Sequence, residues 1–159
     1  MEQKKLSWWL KGIVIGIGLC GGVVYGYVLP AMGQGLVQDY PEFSGWFWPW
    51  LLFLWLTAVP CYMVLLDGWK IASEIGADRS FSTKNARLLK RISILAAGDC
   101  AFFFAGNLVF FILNMNHPSV FLASIFVILG GVAVSVAAAV LSHLVYKAAG
   151  LQEENELTI

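Results

Sequence analysis

The stretch LAAGDCAFF, residues 95–103, places a carboxylate, Asp99, beside a thiol, Cys100, in a run that is otherwise apolar. An ionised carboxylate in hydrocarbon costs several kcal/mol, so such a residue is paired, protonated or functional. Two further thiols stand at matching depths. Lys11 to Cys20, Lys70 to Cys61 and Arg91 to Cys100 are each nine positions apart. At 1.5 Å of helix rise per residue, the three sulfurs fall in one layer roughly 13 Å inside. Thiolates with a carboxylate suit a soft metal such as zinc or copper, yet no local ligand spacing supports one, and cysteine is also an ordinary buried packing residue. No metal or other cofactor is therefore expected. With Asn107, the candidate intramembrane polar site is Asp99, Cys20, Cys61, Cys100 and Asn107, and its chemistry would be passage of a proton, a cation or a small molecule.

Asp67 and His143 form a second candidate, an interfacial pair three and four residues inside Lys70 and Lys147. Their similar depth lets His143 meet Asp67 more readily than Asp99, which lies about 6 Å deeper. The pair would be either a pH-responsive element or a contact that orders the helices. Enzymatic constellations are missing: there is no HExxH, GxSxG, Walker loop or CxxC. His117, beside Pro118, has no partner visible in the sequence. A non-enzymatic protein is expected.

These side chains need elements to position them, and composition decides which. Hydrophobic residues make up 59% of 159 positions and charged residues 13%, the profile of a polytopic membrane protein. The apolar stretches 12–29, 46–66, 92–113 and 119–146 each meet the length a bilayer demands, roughly 18 residues or more. Only helices satisfy every backbone group in such segments. The first run of 18 residues exceeds the usual signal-peptide core of about 7–15, so it is expected to be retained. The expected fold is all-α: one transmembrane domain over 1–159, with four helices in a bundle at about 10–30, 46–75, 82–114 and 119–149, and an acidic tail at 151–159.

Basic residues set the orientation. Lys4, Lys5 and Lys11 lie at the N-terminus, and Lys70, Arg79, Lys84, Arg87, Lys90 and Arg91 in the second connection. Loop 30–45 carries Asp39 and Glu42 with no basic residue. Both termini are thus expected on the cytoplasmic side. Trp8 and Trp9 at one face and Trp46, Trp48 and Trp50 at the other suit interfacial aromatic belts. Orientation alone explains the basic cluster, and the net charge is zero, so no direct nucleic-acid binding is expected.

Small residues mark the faces where membrane helices touch. Gly18, Gly22 and Gly26 form one stripe, with Gly12 and Gly16 alongside; Ser124, Gly131, Ser135, Ala138 and Ser142 form another. They serve contacts within the chain or, in a homo-oligomer, between chains. Pro60 leaves the Leu56 carbonyl free and predicts a kink. Gly76 is a stop signal, and Ser82 can cap the next helix. Asp99 shares its face with small and aliphatic residues and is expected to point inward, near Cys61 and the Pro60 kink. Lys84, Arg87, Lys90 and Arg91, with Glu153, Glu154 and Glu156 of the tail, form a candidate cytoplasmic interaction surface. The tail is expected to fold back on 84–91, with Leu157 and Ile159 as apolar anchors.

FSTKNARLLKRI (81–92) resembles the opening of the third helix in the bacterial domain-of-unknown-function 2975 family, and LQEENELTI (151–159) is similar to that family's terminal L-x-E-E-N-D-L-T-I, with Glu156 in place of Asp. The resemblance implies a small bacterial inner-membrane protein, often encoded beside a helix-turn-helix regulator, and brings no catalytic residues. The leading expectation is an interaction or regulatory protein that contacts a soluble cytoplasmic partner such as that regulator. The alternative is a small transporter or channel built around Asp99, for which four helices enclose so little room that a pore requires oligomers.

Overall fold

The computed structural model describes the backbone of residues 3–157 and the side chains of residues 3–155. It holds four helices long and apolar enough to cross a membrane. They are α1 (Gln3–Asp39), α2 (Phe47–Gly76), α3 (Thr83–Ile112) and α4 (Pro118–Leu157). A 3₁₀ turn, Pro41–Trp46, leads into α2.

Where the sequence suggests a loop after residue 30, α1 continues to Asp39. Its α-helix Gln3–Val23 widens into a π-helical turn, Val24–Val28, and resumes over Leu29–Asp39. Pro30 stands in the first turn after the π segment, where a missing N–H costs least. The widened turn nevertheless orphans one acceptor. The Leu29 N–H bonds to the Val24 carbonyl, and Pro30 has no N–H, so neither can serve the carbonyl of Tyr25. Trp55 of α2 supplies the donor, its Nε1 lying 3.0 Å from that oxygen.

Pro60 lies inside α2, which runs unbroken to Gly76. Gly76 does end the helix, and it also allows a close approach: a Cβ there would stand 2.7 Å from Ser7 Oγ, which donates to the Ala72 carbonyl at 2.6 Å. The turn then passes through Asp78 in the left-handed region, φ 58°, which Asp tolerates better than most residues. Ser82 caps α3 as expected, its Oγ accepting from the Asn85 N–H at 3.2 Å.

The helices pack as a row. α1 lies on α2, α2 on α3 and α3 on α4, with no packing of α1 on α3 or α4, or of α2 on α4, among the described residues. The α3–α4 seam is the most extensive, and the small-residue stripe of α4 faces it. Ser135 Oγ donates to the Ser93 carbonyl at 2.9 Å and Ser142 Oγ to the Ala86 carbonyl at 2.7 Å. A Cβ on Gly131 would overlap Cys100 Sγ, and one on Gly106 would overlap the Phe53 ring. On α1 the stripe is only partly used. Tyr62 Oη donates to the Gly18 carbonyl at 2.9 Å and approaches Gly22, whereas Gly12, Gly16 and Gly26 face open space.

The first turns of α1 and the later turns of α4 lie at the end of the fold that carries the hairpin between α2 and α3. Ser7 meets Ala72, Lys11 Nζ lies 5.1 Å from the centre of the Trp69 ring, and Ser142 meets Ala86.

Candidate functional site

Three helices build a polar chain across the middle of the row. Asp99 of α3 points toward α2, and its Oδ2 accepts from Cys61 Sγ at 3.5 Å. The π turn of α1 brings Tyr25 Oη within 3.2 Å of Thr57 Oγ1 and 3.9 Å of Cys61 Sγ. Thr57 donates its own proton to the Leu54 carbonyl at 2.7 Å. The single Tyr25 proton therefore goes either to the threonine oxygen or to the cysteine sulfur. At the far end, Asp99 Oδ1 is buried with no hydrogen-bond partner. Most buried polar atoms are paired, so an orphaned carboxylate oxygen marks a place where a proton or a ligand group would be accommodated.

The other members of the expected intramembrane set do not join this chain. Cys20 is exposed on α1. Equal depth set its height but not its direction: it lies two residues from both Gly18 and Gly22, roughly 200° around the helix from the face that meets Tyr62. Cys100 is next to Asp99 in sequence but faces α4, where its Sγ packs against Gly131 and lies 3.8 Å from the Ile128 carbonyl. Asn107, 2% exposed, is bound elsewhere: its Nδ2 donates to the Phe103 carbonyl at 2.9 Å and its Oδ1 accepts from Asn116 Nδ2 at 3.2 Å. Among the described residues, no group of three or more His, Cys, Asp or Glu could hold a metal ion.

A second cluster occupies the hairpin end. Asp67 is 1% exposed, and it is paired with Lys70 Nζ at 3.1 Å and Arg91 Nε at 3.3 Å. The expected partner His143 is exposed on α4, which does not pack against α2 at all. The row order put α3 between them, and the contacts of α3 set them at different levels: Asp67 meets Arg91, whereas Ser142, next to His143, meets Ala86, nearer the hairpin.

Glu74, also buried, bridges Lys84 Nζ at 2.7 Å and Arg79 Nε at 3.1 Å. It lies two turns past the apolar stretch 46–66, and the Lys84 ammonium hydrogen-bonded to it, aided by Arg79, holds its carboxyl below the usual range despite some burial. Asn85, 1% exposed, ties the turn from beneath, donating to the Arg79 and Ser80 carbonyls at 3.1 and 3.0 Å.

Of the expected interaction surface, Lys84 and Arg91 are thus engaged by buried carboxylates, whereas Arg87 and Lys90 are exposed. Over its described residues the tail does not turn back over 84–91. Continuous helix to Leu157 carries it onward, because no helix-breaking residue follows Lys147 except Gly150, which the helix absorbs. Glu153 and Glu154 are exposed on that extension, and the side chains of Glu156, Leu157 and Ile159 lie outside the described residues.

His117 caps the start of α4. Its Nδ1 accepts from the Ser119 N–H at 3.2 Å and contacts Ser119 Oγ at 2.6 Å, while its ring lies 5.0 Å from that of Tyr40. Tyr25, Thr57, Trp55, Glu74 and Asn85 were not singled out by the sequence. For Tyr25 a signal exists: Pro30 five residues on cannot donate to its carbonyl in a widened turn.

Residues 31–159 match the family described as protein of unknown function (DUF2975). The chain is similar to the uncharacterized membrane protein YoaS of Bacillus subtilis (strain 168), 26% identical over 149 residues that cover 92% of each chain. No solved structure matches it.

Proposed function

We propose, for a chain that belongs to the DUF2975 family of membrane proteins of unknown function, a non-enzymatic interaction or regulatory role in which the hairpin end meets a soluble cytoplasmic partner. The observation that carries this reading is the way the hairpin is held. Two ion pairs to the buried Glu74, together with Asn85, fix a turn outside the apolar stretches, and the Asp67–Arg91 pair ties α2 to α3 below it. That turn displays Phe81, which is 59% exposed. A loop needed only to connect two helices has no use for such rigidity, whereas an ordered, exposed aromatic is the kind of anchor a partner surface buries. The regulator implied by the family resemblance is the first partner to test.

The reading requires the hairpin to face the cytoplasm. Cysteine labelling should find sites at 34–44 and 115–117 accessible from outside and those at 76–84 from inside. Purification of the native complex should yield a stoichiometric soluble protein that Phe81→Ser releases. Labelling of 76–84 from outside, or purification with no such protein, refutes the proposal.

A second reading, passage of a proton or cation along Tyr25, Cys61 and Asp99, is favoured by the orphaned Asp99 Oδ1. Asp99→Asn separates the two. It keeps a donor and an acceptor but cannot exchange a proton, so transport predicts lost flux in liposomes with unchanged thermal stability.

A further inference from the structure

The six basic residues from Lys70 to Arg91 divide into two sets. Asp67 holds Lys70 and Arg91, and Glu74 holds Arg79 and Lys84. Arg87 and Lys90 remain, exposed and without an ion pair among the described residues. Both line one groove of about 540 Å³ between α3 and α4, opposite His143 and Tyr146, and among the described residues no carboxylate lines it.

Two hydrogen bonds set the levels of this groove. Ser142 against Ala86 sets a level with Arg87 just below it and His143 just above, and Ser135 against Ser93 fixes the layer beneath. Lys90 precedes the apolar stretch 92–113 by two residues, which is headgroup depth; Ala139 stands near the level of Lys90, and Ile94 continues the groove into the apolar layer. Ile94 is exposed, so the groove opens toward lipid. Charge above and an apolar floor below form a phospholipid's own pattern. The general excess of basic residues on one side of a membrane accounts for their number, not for the convergence of the two unpaired ones on one groove.

We propose that this groove binds an anionic phospholipid of the leaflet at the hairpin end. Arg87 and Lys90 would meet the phosphate, with His143 and Tyr146 as hydrogen-bonding neighbours, and an acyl chain would pass Ala139 and lie along Ile94. This inference rests on the membrane-spanning fold and is independent of the partner reading.

Native mass spectrometry of the full chain in detergent, titrated with phosphatidylglycerol, phosphatidylcholine or inorganic phosphate, tests it. Phosphatidylglycerol should be retained in preference to both others. Arg87→Gln/Lys90→Gln should weaken it about thirtyfold, and each single variant about fivefold, a readout that survives if the double variant fails to fold. The control Lys4→Gln/Lys5→Gln should bind as the unaltered protein does. Equal retention of phosphatidylcholine, equal binding of inorganic phosphate, undiminished binding by the groove variants or an equal loss in the control overturns the proposal.

Discussion

Removing one side of the Asp67–Arg91 pair should not cost the same as removing the other. Asp67 is 1% exposed, whereas the Lys70 and Arg91 side chains are 52% and 49% exposed. In Asp67→Asn, both cations turn to water or to lipid phosphate. Only the net value of a half-solvated pair is lost, about 1 kcal/mol. In Arg91→Met, the carboxylate stays buried with Lys70 as its remaining cation. An uncompensated buried charge of that kind costs about 3 kcal/mol, the lower end of the range because Lys70 persists. For a chain of this length, a kcal/mol corresponds to about 2–4 °C. Thermal unfolding in detergent should therefore show losses of about 6–12 °C for Arg91→Met and about 2–4 °C for Asp67→Asn. The double variant should unfold near Asp67→Asn, because with no carboxylate to strand, loss of the guanidinium matters little. Equal single losses, or a double variant whose loss is their sum, would refute the assignment of Asp67 as the buried, dependent member.

Gly131→Ala should cost about 1–3 kcal/mol by forcing its methyl into Cys100 Sγ, while Gly130→Ala, with nothing within 4 Å, should be neutral; adding Cys100→Ala should rescue the first, all by thermal unfolding. Trp55→Phe, which orphans the Tyr25 carbonyl, should cost about 1–3 kcal/mol. In a Pro30→Ala background, where a backbone N–H returns to the turn, that cost should shrink. Glu74, with its carboxyl held below the usual range, stabilises the fold above the unfolded value of 4.5 and loses that contribution as pH falls through its lower folded value. The difference in unfolding temperature between the unaltered protein and Glu74→Gln should be constant near neutral pH and narrow below about pH 4.5; a gap that widens on acidification contradicts the assigned pairing.

Four membrane-length helices, the stop at Gly76, the Ser82 cap and the small-residue seam of α4 were legible before any coordinates, because each depends on residues adjacent along one helix. Bilayer length, capping and i, i+4 stripes are local properties. The expected loop at 30–45 failed for a related reason: Pro30 lies where a helix would normally end, and the compensation that lets α1 continue comes from Trp55 on another helix.

What the tertiary structure alone decided is direction and neighbour. Counting residues from a boundary assigned depths to Cys20, Cys61, Cys100, Asp67 and His143 one helix at a time, and His143 lies nearer the hairpin than Asp67. Rotation about each helix axis then turned Cys20 outward and Cys100 toward α4, and the row order set Arg91, not His143, against Asp67. Hydropathy could not have chosen that order. In lipid an apolar face gains nothing by leaving solvent, so a row and a closed bundle satisfy the same apolar pattern. The choice falls to close packing at Gly106, Gly131 and Ser135 and to the carboxylates that capture particular cations, contacts between residues far apart in the chain.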